Sequence, residues 1–106
     1  FFLFLLYLSM INKTQVIGKI SSQKAFLEDK YFVKEIGIFG SVAREDQQVD
    51  SDIDILVDFK NPIGIFDFIR LEDYLSKLLG SKVDLVTKTG LKPVVKDEIL
   101  NQTIYV

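Results

Sequence analysis

Apolar residues recur along this chain with two different periods. From Asn12 to Lys30, Val16, Ile17, Ile20, Phe26 and Leu27 fall near helical spacing, with Lys13, Lys19, Lys24 and Glu28 on the other faces. That pattern predicts an amphipathic helix, weakened at Ser21-Ser22 enough to allow a break. Phe32 to Phe39 is rich in β-branched and aromatic types and reads as a strand. After a polar segment, Asp52 to Phe59 reads as a second strand, stopped by Asn61-Pro62. Ile65 to Leu79 returns to helical spacing, with Phe66, Ile69, Leu75, Leu78 and Leu79 as the expected core stripe and Gly80 as the helix-ending residue. Ser81 to Thr87 reads as a third strand, and Pro93 opens a short helix to about Leu100, ahead of Ile104-Tyr105-Val106. The order α-β-β-α-β-α, without internal repeats, predicts an α+β (α/β two-layer) domain: a small mixed β-sheet flanked by helices.

Length and composition narrow the chemistry. The chain of 106 residues suits one domain, and 48% apolar with 26% charged residues is ordinary for a globular protein. A net charge of -2 gives no overall basic field, so no direct nucleic-acid binding is expected. The sequence contains neither Cys nor His. Disulfides, thiolate nucleophiles, Ser-His triads and the usual zinc sites are therefore excluded, and any metal must be held by oxygen. Magnesium, manganese and calcium are the ions of that class. The apolar run Phe1 to Leu8 is far shorter than the ~20 residues of a membrane helix and lacks the features of a secretory signal. Residues 1–9 read as an upstream extension, with Met10 the natural start and 10–106 the single domain. A cytoplasmic location without a membrane association is the expectation.

The stretch with chemistry in it runs from Gly37 to Asp58, GIFGSVAREDQQVDSDIDILVD. Asp52 and Asp54 sit at the entry to an apolar strand, where Asp is depleted, and alternate strand residues share a face. Two acids so placed repel each other and call for a cation or plentiful water. Asp84 interrupts Val83-Leu85-Val86, another acid inside an apolar strand. If the two strands are neighbours, three carboxylates converge, as two divalent ions ~3.5–4 Å apart need for phosphoryl or nucleotidyl transfer. Gly40-Ser41 ends the preceding strand, and Val42-Ala43-Arg44 can begin a helical turn. Backbone N–H groups at such a turn suit phosphate, Ser41 offers a hydroxyl, and Arg44 could add a charge-assisted contact. A Gly-Ser pair alone is commonplace in turns and carries little weight. The trio of acids has no EF-hand spacing.

Gly40-Ser41, ten residues, then Asp52-Ile53-Asp54 resembles the GS-x10-DxD signature of the DNA polymerase beta-like nucleotidyltransferases. The wording IFGSVAR, SDIDILVDF and KVDLVT is similar to the minimal nucleotidyltransferase (MNT) branch, over roughly Ile36 to the carboxyl end. The resemblance implies the nucleotidyltransferase fold, with Gly40, Ser41 and Arg44 binding the nucleotide. It further implies Asp52, Asp54 and Asp84 as ligands of two Mg2+ ions, with Asp84 also a candidate base. The position after Arg44 is often Gly in that family and is Glu45 here. MNT proteins are typically encoded with a helical HEPN ribonuclease. The resemblance therefore implies an antitoxin that moves AMP from ATP onto tyrosine hydroxyls of the toxin, its hetero-oligomeric partner. A catalytically inactive, binding-only antitoxin of the same fold is the competing expectation. An aminoglycoside acceptor would need a further substrate domain, and a tRNA acceptor fits poorly with an acidic chain. Phe66, Phe68 and Tyr74 on helix 65–79 offer either a docking face or core packing, the usual fate of such stripes. Lys88, Lys92 and Lys96 read as a solvated face, and Tyr105 as a packed terminal aromatic.

Overall fold

The computed structural model describes residues 10–106, so the run before Met10 lies outside the described residues. Asn12 starts α1 (Lys13–Ser22): its side chain accepts from Gln15 N–H at 2.9 Å, while Gln15 accepts from Asn12 N–H at 3.0 Å. This reciprocal cap satisfies donors that a helix start would otherwise leave unpaired. The expected break falls at Gln23, and α2 (Lys24–Tyr31) follows. Phe32 adopts a left-handed turn, φ 57, and the chain enters β1 (Val33–Phe39). A five-residue helix, α3 (Gly40–Arg44), leads by a polar loop to β2 (Ile53–Phe59). Next come α4 (Ile65–Leu79), ended by Gly80 at φ 66, and β3 (Val83–Thr87). A short 3-10 turn precedes α5 (Pro93–Gln102) and β4 (Ile104–Tyr105).

The four strands lie in the order β3-β2-β1-β4. β1 runs antiparallel to both β2 and β4, whereas β2 and β3 are parallel. A parallel pair needs a crossover, and α4 supplies it. One sheet face carries Ile36, Ile38, Ile53, Ile55, Val83 and Leu85, packed under Val16 and Ile20 of α1 and Leu71, Leu75 and Leu79 of α4. Leu75 is fully buried there, so Leu75→Ala should cost about 2–5 kcal/mol, read as a lower midpoint in urea unfolding.

Two expectations need correction, and one stretch that had no assigned element gains one. The core stripe of α4 is Leu71, Leu75 and Leu79, whereas Phe66 and Ile69 are 73% and 52% exposed. At 3.6 residues per turn, position 66 lies on the far side of the helix from 75, so both cannot face the sheet. Phe68 and Tyr74 are partly buried against the core, and Tyr74 also packs on Phe26 and Tyr31. Asp52 stands one residue ahead of β2 rather than within it. Finally, the last residues form β4, and Gly37 is what lets it close on β1: a Cβ there would stand 2.7 Å from Thr103 Cγ2 and 2.8 Å from the Ile104 carbonyl.

Candidate functional site

Strand register brings together two acids that lie 30 positions apart in sequence only on paper. Asp54 of β2 is the direct partner of Asp84 on β3 and of Phe39 on β1. Directly opposed residues point to the same face of a sheet. Because Ile53, Ile55, Val83 and Leu85 take the core face, Asp54 and Asp84 take the other. Asp84 is exposed and Asp54 half-buried. Asp52 stands at the rim of the same patch, its carboxylate 3.8 Å from Lys82 Nζ.

The electrostatics follow from that crowding. Burial pushes the Asp54 carboxyl up from its ordinary 3.8 to about 6, the charges of Asp84 and Asp52 push the same way, and Arg44 opposes them. Among the described residues no three acidic side chains stand close enough to enclose an ion unaided. Their chemistry nonetheless fits a hard divalent cation: all donors are carboxylate oxygens, and Asp54 is held in surplus negative charge that a cation would relieve.

The turn above the acids is built by α3. Val42 is buried in the core, and that anchor sets the phase that leaves Arg44 exposed and Ser41 half-exposed at the surface. Gly40 sits at φ +72, and a Cβ there would collide with Asp54 Oδ2 and lie 2.9 Å from Asp54 Cγ. The glycine thus allows the turn to rest directly on the carboxylate. Arg44 is held at two points, Nε donating to Asp46 Oδ2 at 3.1 Å and Nη1 to Gln102 Oε1 at 3.0 Å. The same Gln102 oxygen accepts from Gly40 N–H at 3.1 Å. Gln102 carries no local sequence signal, because it meets this turn only through the placement of α5.

Glu45 ends α3 in the left-handed region, φ 62, and forms an exposed ion pair with Lys13 at 2.8 Å. That conformation explains why glycine suits the position. Glu45→Gly should raise stability by roughly 1 kcal/mol, since the backbone penalty exceeds what an exposed ion pair contributes. A melting temperature below that of the parent protein would contradict this. Of the remaining candidates, Lys88 bonds Glu35 at 3.4 Å and lies 5.7 Å from the centroid of the Tyr105 ring. Tyr105, expected to pack, is 44% exposed because its side chain points away from the core that Ile104 and Val106 join.

The family model described as the nucleotidyltransferase domain matches residues 20–106. Protein adenylyltransferase MntA of Thermococcus cleftensis is 39% identical over 99 residues, covering 93% of this chain and 100% of that protein. A solved structure described as a candidate minimal nucleotidyltransferase superposes with TM-score 0.77 at 30% identity, over 91% of this chain and 97% of the other. A crystal structure of a toxin-antitoxin complex with AMP-PNP superposes with TM-score 0.70 at 27% identity, over 90% of this chain and 72% of that one. With Asp54 and Asp84 paired on one sheet face beneath a Gly40-Ser41 turn, and a match that spans the sheet from end to end, this chain belongs to the nucleotidyltransferase domain family.

Proposed function

We propose that this protein is a magnesium-dependent protein adenylyltransferase, the antitoxin of a HEPN ribonuclease toxin, which moves AMP from ATP to a tyrosine hydroxyl of that toxin. The observation that carries the reading is the cross-strand pair Asp54–Asp84 lying under the Gly40–Arg44 turn. The relative named MntA and the AMP-PNP toxin-antitoxin structure support the nucleotide and the kind of partner.

In this reading Gly40, Ser41 and Arg44 hold the triphosphate, with Arg44 supplying the positive charge. Asp52, Asp54 and Asp84 would hold two Mg2+ ions. Ions held there would supply positive charge against the triphosphate and the developing transition state. The tyrosine oxygen forms a bond to the α-phosphorus as the bond from that phosphorus to the bridging oxygen breaks. Pyrophosphate leaves with the electron pair, and Asp84, which is exposed, accepts the hydroxyl proton.

The acceptor must come from outside, and Asp84 is exposed to receive it. α4 offers a docking surface at the far end of β2 from Asp54. There Ile65 and Phe66 are 65% and 73% exposed beside an open apolar pocket of about 460 Å³ lined by Phe59, Ile63 and Phe68 among others. Phe66→Asp should weaken toxin binding at least roughly tenfold while leaving the melting temperature unchanged, as an exposed aromatic anchor would. No helix among the described residues is long and apolar enough to cross a membrane. Action in the cytoplasm, on a protein rather than on nucleic acid, belongs to the same proposal.

The deciding experiment incubates the protein with labelled ATP, Mg2+ and the toxin encoded beside it. Label on toxin tyrosine, lost in Asp52→Asn, is the expected result. If parent and variant leave the toxin equally unlabelled yet both neutralise it, the binding-only reading replaces the enzymatic one.

A further inference from the structure

A single oxygen atom engages two of the donors that the phosphate reading uses. Gln102 Oε1 takes Gly40 N–H at 3.1 Å and Arg44 Nη1 at 3.0 Å. A backbone N–H carries one proton, so Gly40 cannot give it fully to Gln102 and to a phosphate oxygen at once. Arg44 Nε is also engaged, by Asp46 at 3.1 Å.

The contact is not sealed within the protein. Gln102 lines an open cleft of about 630 Å³ with Arg44, Glu98 and Asn101. Its other end is weakly held, Nε2 donating to the Glu98 carbonyl at 3.5 Å. The carboxamide can therefore swing into the cleft without disturbing α5. Capping explains only half of the arrangement. Gly40 is buried and its N–H needs an acceptor, but the Arg44 side chain is 52% exposed and has water available. Convergence of a cation and a backbone N–H on one oxygen is how an anion's oxygen is held.

We propose that Gln102 is an internal occupant of the triphosphate site: its carboxamide oxygen stands where a phosphate oxygen binds and is displaced by the nucleotide. Gln102 thereby sets the affinity of the site. The exchange favours the nucleotide because a charged oxygen bonds Arg44 more strongly than a neutral amide does. This inference rests on the assignment of Gly40 and Arg44 to the triphosphate made above.

Titration calorimetry of Mg·ATP into the parent protein, Gln102→Ala and Gln102→Met tests it, with thermal unfolding to confirm that each variant is folded. The methionine variant keeps the side-chain length and removes the acceptor, so it serves if the alanine variant fails to fold. Both variants should bind Mg·ATP roughly three- to tenfold more tightly than the parent, about the worth of the one neutral hydrogen bond from Gly40 released from competition. In the parent, the Gln102 carboxamide resonances should shift in step with the Gly40 amide as Mg·ATP is added. Equal or weaker binding by folded variants, or saturation with the Gln102 resonances unmoved, overturns the proposal and leaves the nucleotide site intact. Absence of Mg·ATP binding by the parent would instead overturn the site assignment, and this inference with it.

Discussion

Asp54→Asn should reduce nucleotidyl transfer by about a hundredfold to a thousandfold and, at neutral pH, make the ligand-free protein more stable. The first effect follows from removing one charge where transition-state charge must be met. The second follows from linkage. The Asp54 carboxyl is raised from 3.8 to about 6 in the fold, so the folded chain holds that proton more tightly than the unfolded chain does. Its favourable contribution is fully present below about pH 3.8 and is lost as pH rises through about 6. At pH 7.5 the ionised side chain is therefore a net burden, which asparagine removes. Asp54 is only half-buried, so solvent screens much of this, and a gain of about 1 kcal/mol is the expectation. Urea unfolding of parent and variant at pH 7.5 and pH 4 measures it: the two curves should separate at the higher pH and approach one another at the lower. An equal separation at both would mean that charge is not the cause. Millimolar Mg2+ should raise the melting temperature of the parent protein and leave that of the variant nearly unchanged.

Gly40→Ala has the largest structural effect expected of any single methyl group in this chain. The residue sits at φ +72, where an alanine pays roughly 1–2 kcal/mol for the left-handed conformation. The added Cβ would also collide with Asp54 Oδ2 and crowd Asp54 Cγ at 2.9 Å. Relief requires moving either the carboxylate or the whole α3 turn, typically about 1–3 kcal/mol more. A loss of roughly 2–5 kcal/mol in unfolding free energy should accompany loss of transfer. The double variant Gly40→Ala with Asp54→Ala should recover part of the stability but none of the activity. If removing the Asp54 side chain gives no recovery, the collision is not what destabilises the single variant.

The sequence was a good guide wherever the signal is local. Helical and strand periods located α4 and its Gly80 terminus, β1 to within one residue, and β2 and β3 apart from their first residues, because each element must present its own apolar face to the core. It misled on the face of α4, where Phe66 and Ile69 are as apolar as the residues that are buried. Composition cannot say which of two apolar stripes meets the sheet; only the packing partners decide that. The brief β4 also escaped, since two residues carry no period and its pairing depends on Gly37 leaving room.

By itself the sequence determined the inventory of the site: oxygen donors without Cys or His, a glycine-serine turn, and acids set within apolar strands. Those are matters of residue type and short spacing, which the chain carries wherever it folds. Only the tertiary structure decided that Asp54 faces Asp84 across a parallel pair, that Asp52 stays at the rim, and that Gln102 reaches Gly40 and Arg44. These contacts join residues far apart in the chain, and they depend on strand register and helix placement, which the packed core sets as a whole.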